Sequence, residues 1–317
     1  MSASRPGPIA YLTGEYPRAT DTFIQREVAA LRDLGFEVLT CSVRRTPEDH
    51  HVGPEQRAEH ARTFHVIATA SRPGRFLADH LGTMLRGPVR YLGALRLALA
   101  IRSPGAKALL WQLFYFAEAV VLAAHLKRQG VKHLHNHFAD ASCSVAMLAS
   151  EVSGIPFSFT LHGPWEFFEP RRWRIDEKAA RARFTVCISH YCRSQGMVWV
   201  APEHWERMHI VHCAVDCARY ASAAEPGDGQ RLLFVGRLSA EKGMPLLIEA
   251  MERLAERFPR LRLTLVGDGP QRQALEADVA RRGLAERVVF AGYRSQGEVA
   301  EMLSRCDVRV LPSVAEG

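Results

Sequence analysis

The chain has 317 residues, of which 47% are hydrophobic and 24% charged, and its formal net charge is +7. That length predicts about two domains with enough apolar material for a core in each, and the moderate charge leads us to expect no nucleic-acid partner. The seven cysteines form no CxxC pair, which favours a reducing compartment over a disulfide framework. The first residues, MSASRPG, lack the apolar run of a secretory signal peptide, so we expect a cytoplasmic protein.

The first predicted elements have the order strand, glycine loop, helix, strand. Residues 9–12 predict a strand that ends on Thr13-Gly14, and residues 36–40 predict the next strand. Between them, Thr22 with Gln25 three residues later predicts a capping box at the start of a helix. A glycine at position 14 either lets a ligand approach the backbone closely or simply allows a tight turn.

A basic segment follows. Residues 71–130 hold nine lysines and arginines against only Asp79 and Glu118. Residues 85–102 predict a surface helix, whose cations are either solvated or attracted to anionic lipid. Residues 108–126 are apolar and nearly long enough to span a membrane, yet polar residues interrupt them and a strand follows. We therefore predict a core helix there.

Two histidine-bearing strands come next. Alternation along residues 131–138 places His133, His135 and His137 on one face of a strand, where a metal site and a hydrogen-bonded structural role both fit. Residues 156–163 predict a strand that ends on the sequence Thr-x-His-Gly, which contains His162. Ser189 is placed to cap the N-terminus of a helix after a further strand.

The second half is organised around the sequence RLLFVGRLSAEKG, residues 231–243. It predicts a strand, a glycine turn at Gly236, the cations Arg237 and Lys242, and then the start of a helix. Ligands of open α/β sheets bind at the carboxyl ends of strands, so these cations are placed where a diphosphate would bind. An isolated arginine and lysine at this spacing would more often be solvated loop residues.

The sequence Gly267-Asp268-Gly269 is not a dinucleotide fingerprint. That fingerprint requires a third glycine where this chain has Arg272, and no ribose-binding acid ends a following strand. Hydride transfer with a nicotinamide cofactor is therefore not predicted.

Four segments together, GRLSAEKG, LTLVGDGP, VVFAGY and VRVLPSVAEG, resemble the second domain of retaining glycosyltransferases of family 4 in order and spacing. The resemblance implies the GT-B fold, in which two Rossmann-like α/β domains face a cleft. It places an N-terminal domain at residues 1–220, a linker at 221–230 and a nucleotide-sugar-binding domain at 231–317. The chain ends before the family's second glutamate and closing helices, so we expect the second domain to be incomplete and the sequence to be C-terminally truncated.

The resemblance also implies the roles of individual residues. Catalytic roles fall on Arg237 and Lys242, which would hold the donor diphosphate, on Glu316, which would orient the donor, and on His162, which would contact the sugar. Glu166 follows His162 where the family often has an acid, but its position departs from that pattern. Donor-binding roles fall on Gly236, Gly267, Asp268, Gly269, Tyr293, Arg294 and Gly317, and acceptor-side roles on Gly14, Glu15 and His137.

The implied reaction moves a sugar from a nucleotide-diphosphate donor to a glycan or lipid-linked acceptor with retained anomeric configuration. No metal or other cofactor is expected. The segment TGEYPRATDTFIQREV resembles exopolysaccharide and colanic-acid-type enzymes, which implies polysaccharide biosynthesis at the inner face of a bacterial membrane, with an anionic membrane surface as a partner. A nucleotide-sugar epimerase of GT-B fold and a non-catalytic donor-binding fragment remain as alternatives.

Overall fold

A computed structural model describes residues 7–215, 217 and 227–316, which form two α/β units. Among these residues each unit contains one wholly parallel sheet. The strands of the first unit are β1 (Ile9–Glu15), β2 (Val38–Arg44), β3 (Phe64–His65), β4 (His133–His137), β5 (Phe157–Leu161), β6 (Thr185–Cys187) and β7 (Met208–Ile210). Its helices are α1 (Thr22–Asp33), α2 (Pro54–Arg62), α3 (Val66–Ala70), α4 (Pro73–Arg86), α5 (Pro88–Ala100), α6 (Ala106–Arg128), α7 (Ala141–Ser153), α8 (Pro170–Trp173), α9 (Ile175–Arg181) and α10 (His190–Met197).

The second unit repeats the alternation of strands and helices on a smaller scale. Its strands are β8 (Arg231–Val235), β9 (Arg262–Val266), β10 (Val288–Gly292) and β11 (Val308–Arg309). Its helices are α11 (Met244–Leu254), α12 (Arg272–Arg281) and α13 (Gln296–Arg305). Each unit has its own apolar core, in which Phe157 and Phe159 are fully buried in the first and Phe234 and Leu265 in the second.

The strand orders place a ligand-binding crevice in each unit. In the described residues the first sheet has the order β3-β2-β1-β4-β5-β6-β7, and the second has the order β10-β9-β8-β11. The order reverses direction between β1 and β4 in the first sheet and between β8 and β11 in the second. Parallel α/β sheets bind ligands outside the carboxyl ends of the strands at such a switch point. Gly14 and His137 lie at the first switch point, and Gly236 directly follows β8 at the second.

Two predictions about the first βα unit are wrong in detail. Strand β1 continues to Glu15, so Gly14 and Glu15 belong to the strand and not to a loop. The predicted capping box of Thr22 and Gln25 does not form. Asp21 is the N-cap of α1, and the Gln25 side chain donates to the carbonyl of Arg18 instead. Because the Gln25 side chain is engaged by the Arg18 carbonyl, it does not complete a capping box at the start of α1.

The basic segment forms two helices where the sequence predicted one over residues 85–102. Helix α4 ends at Arg86 and α5 begins at Pro88, whose missing N–H and ring prevent a continuous helix. The prediction of a core helix over residues 108–126 holds for the C-terminal half of α6, where Phe116 and Leu122 are buried. The N-terminal half exposes Trp111. By length and composition alone, α6 is also apolar enough to cross a membrane.

Other local predictions are confirmed or shortened. The Ser189 hydroxyl accepts from the backbone N–H of Cys192, so it caps α10 as predicted. The helix predicted to start after Lys242 forms as α11, which buries Leu247 and Met251 and ends at Leu254. The proposed boundaries at 220 and 230 stay a prediction, because most of the linker lies outside the described residues.

Candidate functional site

The turns after β8 and β9 pack backbone against backbone. Gly236 N–H donates to the carbonyl of Val266, and Leu238 N–H donates to the carbonyl of Asp268. A Cβ atom at Gly267, where φ is +126°, would lie 2.0 Å from the carbonyl oxygen of Gly236. A Cβ atom at Gly269 would lie 2.4 Å from the carbonyl oxygen of Leu238. Only glycine fits at both positions, and the fit brings the two turns together.

Helix α11 begins beside these turns, and two cations flank its approach. Arg237 follows Gly236 directly, and Lys242 lies in a short 3-10 turn before the N-cap Gly243. Lys242 Nζ donates to Glu316 Oε1 at 2.6 Å. Partial burial of Glu316 opposes its ionisation, but the hydrogen bonds from Lys242 and Ser313 and the charge of Lys242 together outweigh it, so the pKa of Glu316 is lowered. Within the described residues no carboxylate oxygen lies within 4.0 Å of the Arg237 guanidinium.

A cavity of about 840 Å³ lies between the two units, within the size range of small-molecule sites. The first unit contributes residues from the start of α1 and the preceding loop, which include Thr20, Thr22 and Arg26. Across the same gap, the His50 and Tyr293 rings lie 4.7 Å apart. Six predicted site residues line the cavity: Gly236, Arg237, Lys242, Gly267, Tyr293 and Arg294.

The remaining predicted donor-side residues have different positions. Asp268 directs its carboxylate to Arg272 Nη1 at 2.6 Å and to the backbone N–H of Gly269 at 2.7 Å, so it braces the turn and does not line the cavity. Glu316 reaches the site through its contact with Lys242. Gly317 lies outside the described residues.

In the first unit, a cluster of polar side chains lies beside His162. His162 Nε2 and His137 Nδ1 are 3.0 Å apart, and His137 Nε2 lies 3.7 Å from Glu27 Oε2. Tyr11 donates its hydroxyl to the other Glu27 oxygen at 2.6 Å. The His162 ring also packs between Phe23 and Phe138, with centroid distances of 4.7 and 4.6 Å.

The contacts with His137 and Glu27 favour one tautomer of His162. Burial lowers the pKa of His162 to about 3 and places that of His137 well below its usual value, so both rings are neutral near pH 7. A proton on His137 Nε2, which faces the Glu27 carboxylate at 3.7 Å without a hydrogen bond, would leave His137 Nδ1 to accept from His162 Nε2–H. His162 Nδ1 is then an unprotonated acceptor, suited to a substrate hydroxyl.

Buried charged groups hold the backbone around this cluster. Glu166 accepts hydrogen bonds from the backbone N–H groups of Ala139, His162 and Gly163. Burial raises the pKa of Glu166 to about 8, although these backbone donors pull it down. Lys178 is fully buried and donates to the carbonyls of Ala139 and Asp140, both at 2.8 Å. Glu166 therefore positions the backbone of His162.

Two of the three predicted acceptor-side residues, Gly14 and Glu15, lie at the carboxyl end of β1. A Cβ atom at Gly14 would lie 3.9 Å from the Asp140 carboxylate, which places β1 beside the loop after β4. Glu15 lies 3.9 Å from Arg18. Neither residue lines the cavity between the units. Their acceptor-side role stays a prediction.

One group of side chains in the described part of the chain has metal-ligand chemistry. Ligand atoms of Glu27, His135 and His137 all lie within 4.8 Å of one another. However, both ring nitrogens of His135 are engaged by the hydroxyls of Ser158 and Thr160, at 2.8 and 2.9 Å. His135 is therefore used in hydrogen bonds within the sheet, and the residues do not fit a preformed metal site.

The sequence predictions missed several residues that the structure brings to the site. Phe23 and Glu27 both lie on α1 and both reach the His137–His162 pair. Their spacing of four residues, which puts them on one helix face, was the available signal. Asp21 lies close enough to Arg237 for that charge to lower its pKa, although burial raises it more strongly. No local signal indicated the buried Lys178.

Comparison with known proteins gives two matches that together span nearly the whole chain. The sequence profile described as Glycosyltransferase Family 4 matches residues 21–219, and the profile described as Glycosyl transferases group 1 matches residues 220–317.

Among curated proteins, the chain is 27% identical over 192 residues to 2-deoxystreptamine glucosyltransferase of Streptomyces kanamyceticus, with 53% of this chain and 50% of the relative covered. It is 29% identical over 204 residues to alpha-D-kanosaminyltransferase of the same organism, with 57% and 53% covered. The matches therefore span about half the length of these relatives.

Among solved structures, sucrose-phosphate synthase from Thermosynechococcus elongatus superposes with a TM-score of 0.69 at 18% identity, over 98% of this chain and 76% of that one. HepE from Anabaena, solved with UDP and glucose, superposes with a TM-score of 0.65 at 18% identity, over 97% and 74%. These likenesses confirm the predicted two-domain GT-B fold.

Proposed function

Since the chain belongs to the glycosyltransferases of family 4, we propose that it transfers a sugar from a nucleotide-diphosphate donor to a glycan or lipid-linked acceptor. The observation that supports this proposal is the cavity between the units, with Arg237 and Lys242 beside the start of α11. The donor's diphosphate gains negative charge as it leaves, and preorganised cations stabilise that charge. A unit pair about 4 Å apart contributes roughly 4 kcal/mol at an effective dielectric near 20.

We propose a retaining reaction on one face of the sugar. The bond between the anomeric carbon and the diphosphate oxygen breaks, and the acceptor oxygen bonds to that carbon from the same side. The acceptor proton passes to the departing diphosphate oxygen, so the chain need not supply a carboxylate nucleophile. His162 Nδ1 accepts from a sugar hydroxyl, while Glu316, which pairs with Lys242, orients the donor.

The two cations make a divalent ion unnecessary in this scheme, because the charge that a metal would supply already stands beside the diphosphate site. We therefore propose a metal-independent enzyme. We place it in polysaccharide biosynthesis in the cytoplasm, peripherally attached to the inner face of a bacterial membrane. The support is the resemblance of the N-terminal segment together with the basic, Leu-rich helices α4 and α5.

The test is thermal stabilisation of the chain by UDP, GDP and ADP. UDP is the first choice because HepE, of the same fold, was solved with UDP-glucose. A bound nucleotide raises the melting temperature by mass action. We expect one nucleotide to stabilise the chain and to lose that effect in the double variant Arg237→Ala, Lys242→Ala.

The matched control is the double variant Arg253→Ala, Arg305→Ala. It removes the same charge from the same unit, but each arginine pairs only with the glutamate four residues before it on an exposed helix face. Equal stabilisation of the cavity variant and the control would contradict the diphosphate site. For the reaction, NMR of the product should show the donor's anomeric configuration. Conversion of donor sugar without any acceptor would favour an epimerase instead.

A further inference from the structure

The cavity between the two units has more cations than the proposed donor diphosphate uses. Within the described residues, five cationic side chains and no acidic ones line it: Arg26, Arg237, Lys242, Arg294 and Arg309. Lys242 and Arg294 lie 2.6 and 3.8 Å from the carboxylates of Glu316 and Glu298. The other three have no carboxylate oxygen within 4.0 Å in that part of the chain. Since the diphosphate would occupy Arg237, two unpaired cations remain, Arg26 on the first unit and Arg309 on the second.

The guanidinium of Arg26 is held in position by two hydrogen bonds. Its Nε–H donates to the carbonyl of Ala214 at 3.2 Å, and its Nη1 donates to the hydroxyl of Thr22, one helical turn before it, also at 3.2 Å. Its Nη2 has no hydrogen-bond partner among the residues that the structure describes. Ordering a long side chain on binding costs conformational entropy, and these two bonds have already restricted Arg26. The outer end of its guanidinium is therefore preorganised to bind an anion.

The two acids closest to Arg26 in sequence along α1 face other groups. Glu27 is the next residue, but its carboxylate lies 3.7 Å from His137 Nε2 on another side of the helix. Asp21, the N-cap of α1, is buried and lies 4.0 Å from Arg18. Neither acid lines the cavity. The positive charge of Arg26 is therefore available to a ligand.

Arg26 also lies beside the position proposed for the donor sugar. Phe23, which precedes it by three residues and is its neighbour on the helix surface, packs on the His162 ring at a centroid distance of 4.7 Å. The same cavity joins Arg26 to Arg237 and Lys242 on the second unit. A sugar that extends from the diphosphate towards His162 therefore lies next to this face of α1.

We propose that Arg26 binds a carboxylate on the donor sugar, so that the donor is a nucleotide-linked hexuronic acid. The free N–H groups of a guanidinium form a planar fork that matches the two oxygens of a carboxylate. An anionic group on the acceptor fits less well, because the predicted acceptor-side residues Gly14 and Glu15 do not line the cavity that Arg26 lines. The proposal rests on the proposed function, since it names the class of donor that the same site would bind.

The test is calorimetric binding of UDP, UDP-glucose and UDP-glucuronic acid to the full chain. We expect UDP-glucuronic acid to bind about ten- to hundredfold more tightly than UDP-glucose, the range for hydrogen bonds between charged groups. Arg26→Gln should abolish this preference and leave the affinity for UDP unchanged. Arg26→Lys keeps the charge without the fork, so it should retain part of the preference. If GDP or ADP is the nucleotide that binds, GDP-mannose with GDP-mannuronic acid, or ADP-glucose with ADP-glucuronic acid, replaces the UDP pair.

The matched control is Arg309→Gln, which removes the same charge from the same cavity, but from β11 of the second unit. A general attraction of the cavity for anions would be weakened equally by both variants, whereas a contact with Arg26 is lost only in Arg26→Gln. Thr22→Val removes the hydroxyl that holds Nη1 and keeps the Arg26 charge, so it should lower the preference for UDP-glucuronic acid in part.

Equal affinity for the neutral and the carboxylate-bearing donor, with the nucleotide still bound, would overturn this proposal and leave the proposed function intact. Equal loss of the preference in Arg26→Gln and Arg309→Gln would also overturn it, because it would show a general field and not a contact. Weaker binding of UDP itself by Arg26→Gln would assign Arg26 to the diphosphate instead. If none of the three nucleotides binds, the proposed function fails and this proposal fails with it.

Discussion

The close packing of the two donor-side turns gives a quantitative prediction at Gly267. Replacement of Gly267 by alanine forces a non-glycine residue to a φ of +126° and places its Cβ 2.0 Å from the Gly236 carbonyl oxygen. Gly283→Ala is the matched control, because its φ is also positive, at +68°, and no heavy atom of the described residues lies within 4 Å of its Cβ position. The control isolates the cost of the backbone conformation, about 1–2 kcal/mol.

The additional loss of stability at Gly267 comes from backbone hydrogen bonds that the substitution disrupts. Real Cβ contacts are essentially never shorter than 3.0 Å, so the two turns must separate by about 1 Å. That movement disrupts the hydrogen bonds from Gly236 to Val266 and from Gly267 to Gly292, which are 2.9 and 2.8 Å long. Each is worth about 0.5–1.5 kcal/mol, so Gly267→Ala should destabilise the second unit by about 2–5 kcal/mol in total.

The assay can report the two units separately. All five tryptophans of the chain, at positions 111, 165, 173, 199 and 205, lie in the first unit. Urea unfolding followed by tryptophan emission therefore reports that unit, whereas circular dichroism reports both. We expect Gly267→Ala to shift only the unfolding transition of the second unit, which changes the circular dichroism but not the tryptophan emission. The reasoning is refuted if Gly267→Ala and Gly283→Ala differ by less than about 0.5 kcal/mol, the scatter of ordinary surface substitutions.

Three further predictions concern charged groups. Glu316→Gln removes the partner of Lys242, so inorganic pyrophosphate should bind more tightly in calorimetry; unchanged or weaker binding would contradict the competition. Glu27→Gln removes the carboxylate facing His137, so nitrogen NMR shifts should show a changed tautomer at His162, whereas an unchanged spectrum would refute the relay. The Arg231 hydrogen bond lowers the pKa of Asp307 from 3.8 to about 2. The stabilisation of the fold by ionised Asp307 is therefore complete above pH 4 and lost as the pH falls towards 2. Asp307→Asn should flatten that part of the acid-unfolding curve, and an unchanged slope would contradict this assignment.

The fold was largely predictable because its signals are local and repeated. Short apolar runs that end on glycine, such as residues 231–236, specify strands and the turns after them whatever their neighbours are. Predictions of where elements begin and end were wrong where a competing contact was not visible in the sequence. At the start of α1, for example, the Gln25 side chain donates to the Arg18 carbonyl and does not form the predicted cap. The split of the basic segment at Pro88 had a visible signal, since proline prevents continuation of a helix.

The site was predictable only in part, for a related reason. Arg237 and Lys242 stand near each other in sequence, so one motif identified both. The partners of His162 come from three other strands and helices: Tyr11 from β1, Glu27 from α1 and His137 from β4. Contacts between elements so distant in sequence depend on the register of the sheet, which no local pattern specifies.

The two units divide the electrostatic tasks of the proposed reaction. Burial lowers the pKa of His162 to about 3, so in the proposed reaction the first unit would offer the sugar a neutral imidazole. Arg237 and Lys242 of the second unit therefore supply the catalytic positive charge that faces the diphosphate. A protonated imidazole near the anomeric carbon would oppose the positive charge that develops there as the diphosphate leaves. A neutral acceptor avoids that penalty while still binding a sugar hydroxyl, and it therefore suits a step that separates charge between the two units.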